Sequence, residues 1–156
     1  MAEALGYQTL GLGWTAALAR LLVAAALGMA LGAERERKDR PAGLRTYTLT
    51  SVAACLFTII TGALAEDLTR DDQVVADPIR IVDAVTAGVA FLAAGTIISQ
   101  GGRVIGLTTG AGMWMAGAIG VASGAGYYVP AALTCALTLA VLTGMRLAER
   151  GKSPDD

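Results

Sequence analysis

An all-α bundle of about five membrane-spanning helices, N-terminus outside and C-terminus cytoplasmic, is the fold class this sequence predicts. Three observations predict it. Hydrophobic residues make up 54% of the 156 and charged residues only 16%, whereas about a quarter of a soluble domain is charged. The charges are clustered, and the apolar runs between them approach the roughly 20 residues that cross a hydrocarbon core. Lys and Arg gather in alternate connectors, as the positive-inside rule requires of cytoplasmic segments.

The reference point is the stretch from Glu34 to Thr46. It holds Glu34, Arg35, Glu36, Arg37, Lys38, Asp39, Arg40 and Arg45, five bases against three acids. Such a connector belongs in water, and its basic excess places it in the cytoplasm. The helix before it is predicted over 12–33. Trp14 to Gly32 alone gives 19 residues, about 28 Å of helix. Residues 1–19 contain no Lys or Arg, so the basic start of a signal peptide is missing and this helix is expected to be retained. Arg20 interrupts the run and must lie inside the membrane or just within its outer boundary. Gly28 and Gly32 form a GxxxG pair suited to close helix approach.

The second helix is predicted over 46–64, capped by Thr46 after a turn at Pro41 and Gly43. Residues 65–77 are acidic and suit the outer side. Asp77 and Pro78 read as N-cap and first helical position of a third helix over 78–99. Ser99 to Gly106 returns the chain to the cytoplasm. The fourth helix, 107–123, carries Gly110, Gly112, Gly117 and Gly120, and so little bulk that the centre of a bundle suits it best. The fifth, 128–147, follows an interfacial Tyr127-Tyr128 pair, with Pro130 tolerable in its first turn. Nine Lys/Arg then lie in inward segments, and Arg70 and Arg80 in outward ones. Four spans is the rival count, with 84–98 re-entrant. The whole chain, 1–156, reads as one domain.

Several function classes lose ground. No histidine exists for metal ligation or acid–base work, and Cys55 and Cys135 sit apart in apolar runs. Without a buried carboxylate pair either, a non-enzymatic protein with no cofactor and no metal site is expected. No basic face offers a nucleic-acid platform. Gly101 to Thr109 superficially resembles a phosphate loop, yet Leu107 stands where the lysine belongs and no strand is predicted before it. Capping of the fourth helix by Thr108 and Thr109 is the expected role, with weak anion binding at that helix terminus as the alternative.

Taken in order, Gly32-Ala33-Glu34-Arg35-Glu36, Arg40-Pro41-Ala42-Gly43-Leu44-Arg45-Thr46, Asp77-Pro78, Arg80-Ile81, Phe91-Leu92-Ala93-Ala94-Gly95, Gly106-Leu107-Thr108-Thr109 and Trp114 resemble the MgtC/SapB family of bacterial inner-membrane proteins. The resemblance covers residues 20–126. It implies a small helical membrane domain and a role in survival under magnesium limitation and inside hosts. It also implies inhibition of the F-type ATP synthase, a membrane partner, as in some members. Ala93 stands where the family's glycine is expected and Gly110 where its alanine is. Asp83 lies outside the pattern. The chain ends after the fifth helix, so a SapB-like form without the soluble C-terminal domain is the nearer likeness.

The candidate functional residues are Arg20, Glu34, Arg35, Glu36, Arg40, Arg45, Asp77, Arg80, Asp83, Thr108 and Thr109, with Gly28, Gly32, Gly95, Gly106, Gly117 and Gly120 as helix-packing positions. Charges at membrane depth are costly and commonly functional. Arg20 and Asp83 fall at similar depth, about 9 Å in, so they pair across helices, or else Arg20 snorkels outward and Asp83 pairs with Arg80. The Glu34–Arg45 stretch serves as a topology anchor, or binds anionic lipid or a cytoplasmic partner. The leading expectation is a regulatory inner-membrane protein acting by association, with itself or with other membrane proteins. The alternative is a small solute or ion transporter, as a homodimer.

Overall fold

The computed structural model describes residues 12–69 and 79–150. In chain order it contains α1 (Trp14–Glu36), α2 (Leu44–Thr69), α3 (Ile79–Gly95), β1 (Ile98–Gln100), β2 (Arg103–Ile105), α4 (Leu107–Gly124) and α5 (Tyr128–Arg150). Five helices are therefore present among the described residues. Two of them, Trp14–Glu36 and Leu44–Glu66, are long and apolar enough to cross a membrane by length and composition. Their apolar sides largely face outward: Leu18, Leu22, Phe57 and Leu64 on them are exposed, as are Phe91, Leu133, Leu137 and Val141 elsewhere. A core helix of a water-soluble globule would bury such residues.

α4 is the axle of the bundle, touching α1, α2, α3 and α5. Its sequence explains why. Gly110, Gly112, Gly117, Gly120 and Gly124 all face inward and are buried, so neighbouring backbones come within reach of its own. A Cβ on Gly124 would stand 2.6 Å from the Cys55 carbonyl, and one on Gly120 would strike the Ser51 carbonyl. Side-chain fill comes from Met113, Ala116 and Ile119 on α4, packed with Leu31, Tyr47, Ala131 and Cys135. α1 and α2 form a close antiparallel pair. Gly28 lets Ser51 approach, and Gly32 lets Leu44 approach, with hypothetical Cβ contacts of 2.8 and 2.6 Å. Ser51 Oγ, buried at this seam, donates to the Ala24 carbonyl at 2.9 Å.

α2 and α5 run past their expected ends at 64 and 147, to Thr69 and Arg150, and three further departures in the boundaries bear on the site. α1 runs on to Glu36 instead of ending at 33, so Glu34, Arg35 and Glu36 ride on its last turn. Polar residues do not interrupt a helix whose backbone bonds are internal. α2 begins at Leu44, which leaves Thr46 inside the helix and not at its cap. The third helix stops at Gly95, and the residues expected to complete it enter a two-stranded hairpin pairing Ile98 with Ile105, Ser99 with Val104 and Gln100 with Arg103. Gly101 and Gly102 supply its turn with φ of +59° and +79°, the pair of left-handed residues that a two-residue hairpin turn demands.

Candidate functional site

Where α1 hands over to α2, the charged stretch folds into a built corner. Arg37 N donates to Ala33 O, Arg40 N donates to Arg35 O, and Asp39 takes a left-handed φ of +48°, a conformation its short polar side chain tolerates. The Glu36 carboxylate then accepts from Leu44 N at 2.7 Å. An anion at the start of α2 satisfies a free N–H and complements the helix dipole. Gly43 leaves room for this contact, since a Cβ there would stand 2.8 Å from that carboxylate oxygen and the glutamate would have to shift.

The inner side of the corner is a buried ionic cluster. Arg35 is only 3% exposed and Glu34 9%. Arg35 Nη1 stands 3.5 Å from Glu34 Oε2, and Lys38 Nζ donates to Glu34 Oε1. Lys38 also reaches the Leu142 carbonyl of α5 at 3.3 Å. Tyr47, wholly buried on α2, donates its hydroxyl to the Thr109 carbonyl of α4 at 3.0 Å, with the Arg35 guanidinium beside it. Gly112 makes room for that hydroxyl, since a Cβ there would sit 2.5 Å from it. Two cations and one carboxylate thus tie four helices at one end of the bundle. Arg35 Nε and Glu34 Oε2 have no hydrogen-bond partner among the described residues.

The predicted residues divide accordingly. Glu34, Arg35 and Glu36 belong to this corner, and Thr109 joins it through its backbone. Arg40 and Arg45 are exposed beside it. Neither Thr108 nor Thr109 caps α4: the N-cap is Gly106, with φ +91° and no side-chain cap bond, and a strand, β2, does precede it. Arg20 lies at the opposite end, where Nη1 donates to the Gly124 carbonyl at 2.6 Å, a cation on the last turn of α4. Arg20 does not pair with Asp83, nor Asp83 with Arg80; among the described residues both α3 charges are exposed. Asp77 lies outside the described residues.

Of the glycines, Gly28, Gly32, Gly117 and Gly120 stand at contacts between helices, Gly117 against Val89 of α3. Gly106 works instead as a turn residue whose Cβ would strike the Thr96 carbonyl. Gly95 packs against nothing within 4 Å. The two departures from the family pattern meet one another: a Cβ on Gly110 would lie 3.1 Å from the Ala93 carbonyl. Tyr47 and Lys38 were missed as site residues. The signal for Tyr47 was available, since a phenol in an apolar helix must find a partner for its hydroxyl.

These features define a class of protein: a small five-helix bundle with lipid-length apolar helices and a buried ionic corner at one end. The chain belongs to the MgtC family, whose model matches residues 21–150. It is 38% identical to protein SapB of Bacillus subtilis over 71% of this chain and 48% of that protein. It is 37% identical to protein MgtC of Brucella abortus over 74% and 45%. With protein SrpB of Synechococcus elongatus it shares 33% identity over 88% and 79%. The chain spans about half the length of SapB and MgtC. No solved structure matches.

Proposed function

We propose that this chain is a multi-pass inner-membrane protein, N-terminus outside and C-terminus cytoplasmic, that acts by associating with other membrane proteins and not by catalysis. Its setting is the response to magnesium limitation or the upkeep of membrane energy. The observation that carries this reading is the disposition of charge. Arg20 sits at one end of the bundle and the Glu34–Arg35–Lys38 cluster at the other, while Arg80 and Asp83 face outward on α3. Between the ends lie Ala24, Gly28, Ala54, Ala116 and Gly120, with backbone against backbone and, among the described residues, no buried charged side chain. Outward charges beside exposed Ile79, Val82 and Phe91 are costly against lipid and favour a protein on that face. The glycine seams are already used within the chain, so α3 is the surface left for a partner.

Photo-cross-linking from Val82 and Phe91 in living cells, with Leu133 on α5 as control, tests the reading. Discrete adducts from α3 and none from α5 are expected; equal, diffuse labelling at all three sites would overturn it. A second reading, transport, is favoured by one relative: the Escherichia coli YhiD protein, 38% identical over 79% of this chain, is provisionally named a magnesium transporter. Magnesium flux in proteoliposomes that is lost with Arg80→Ala would establish it.

A further inference from the structure

The two sides of α3 differ in character. Val85, Val89 and Ala93 turn inward and are buried. The opposite side, at 3.6 residues per turn, carries Arg80, Ala84, Ala87, Phe91 and Ala94, all exposed. Phe91 is the most exposed large apolar side chain among the described residues, at 81%. Its surroundings on the helix are small and open: a Cβ on Gly88 or Gly95 would meet nothing within 4 Å. Arg80 and Asp83 stand three residues apart at the start of this side, about 4.5 Å along the axis. Neither enters an ion pair among the described residues.

We propose that this side of α3 docks on the same side of α3 in a second copy of the chain, about a two-fold axis along the membrane normal. The inference rests on the reading of α3 as the face that takes a partner, and it names that partner. A two-fold contact requires a patch that complements itself, and this one does so in two ways. The first is charge. Copies threaded in the same direction hold their Arg80 and Asp83 at equal depths, so each Arg80 reaches the Asp83 of the other copy. Two charges that are costly against lipid are then paired. A partner of a single charge would meet one of them and strand the other. The second is shape. Phe91 is the one bulky apolar side chain on a strip otherwise built of alanines, so it settles beside Ala87 and Ala94 of the other copy, a knob and a hole on one surface.

Disulfide trapping of the full chain in native membranes tests it. Under a mild oxidant Ala87→Cys should run as a cross-linked dimer, and Leu133→Cys, exposed on α5, should not; Cys55 and Cys135 are buried and make a quiet background. Charge reversal supplies the second arm, read by energy transfer between labelled copies in liposomes. Arg80→Asp sets acid against acid at both contacts and should weaken self-association about ten-fold. Arg80→Asp with Asp83→Arg rebuilds both pairs with the signs exchanged and should restore it. Dimer yield from Ala87→Cys no greater than from Leu133→Cys overturns the proposal. So does self-association that is indifferent to Arg80→Asp, or a loss that the double variant does not recover. The two readings fail separately. Discrete photo-adducts from α3 with no Ala87→Cys dimer leave α3 as a partner face and reject the second copy, whereas absence of both rejects both.

Discussion

Glu34 is the residue on which the ionic corner turns. It faces Arg35 and Lys38 at once, and both are drawn from water by the surrounding helices. Removing one partner from a buried ion group commonly costs about 3–5 kcal/mol because the remaining charge is stranded. Glu34→Ala is therefore expected to lower the thermal midpoint in detergent sharply, and adding Arg35→Met should recover part of the loss. If the double variant is no better than the single, the two residues are not coupled. Tyr47→Phe tests the adjoining tie more gently. It removes the bond to the Thr109 carbonyl and no packing, so a loss near 1 kcal/mol is expected, a fall of a few degrees. At this scale the sequence was only half legible. Charge and hydropathy marked Arg35 as important, but its burial followed from α1 continuing to Glu36, which the polarity of Glu34-Arg35-Glu36 concealed. Arg20 pairs with a backbone carbonyl more than a hundred positions away, and a carbonyl leaves no mark in the sequence.

At the scale of elements, the hairpin between α3 and α4 was the feature misread. Its signal was present: Gly101-Gly102 flanked by Ile98-Ser99-Gln100 and Arg103-Val104-Ile105 is a two-residue hairpin pattern. The expectation of a long third helix absorbed the first strand. The glycines here separate by cause. Gly101 has open space around it and is strained only by its φ of +59°, so Gly101→Ala should cost about 1–2 kcal/mol. Gly106 has both a φ of +91° and the Thr96 carbonyl where its Cβ would go. Gly106→Ala is expected to abolish monodisperse, folded material on size-exclusion chromatography, whereas Gly101→Ala should survive. Gly88 lies mid-helix in open space with no unusual φ. Gly88→Ala should be neutral or raise stability by up to about 1 kcal/mol, which makes it the control for the other two.

For the whole molecule, the five-helix order and the central place of α4 could be read in advance, because hydropathy and glycine content are local properties. Which helices touch could not, since helix contacts depend on faces and crossing angles that apolar sequences barely encode; the small-residue seams were visible only as candidates. Orientation is testable with little background, because Cys55 and Cys135 are both buried. Arg37→Cys, at an exposed position of the charged corner, should resist a membrane-impermeant maleimide in intact cells and react once cells are opened. Labelling in intact cells would reverse the proposed topology.

The uneven distribution of support among the helices has a bearing on biogenesis. α1 and α2 already close on each other, whereas α3 rests chiefly on α4, which follows it in the chain. A nascent polypeptide halted after Thr69 would hold a finished helical pair. One halted after Gly95 would hold a third segment waiting for its support. Ribosome-tethered intermediates should accordingly show early protease resistance for the first pair and late resistance for α3, gained only as α4 emerges.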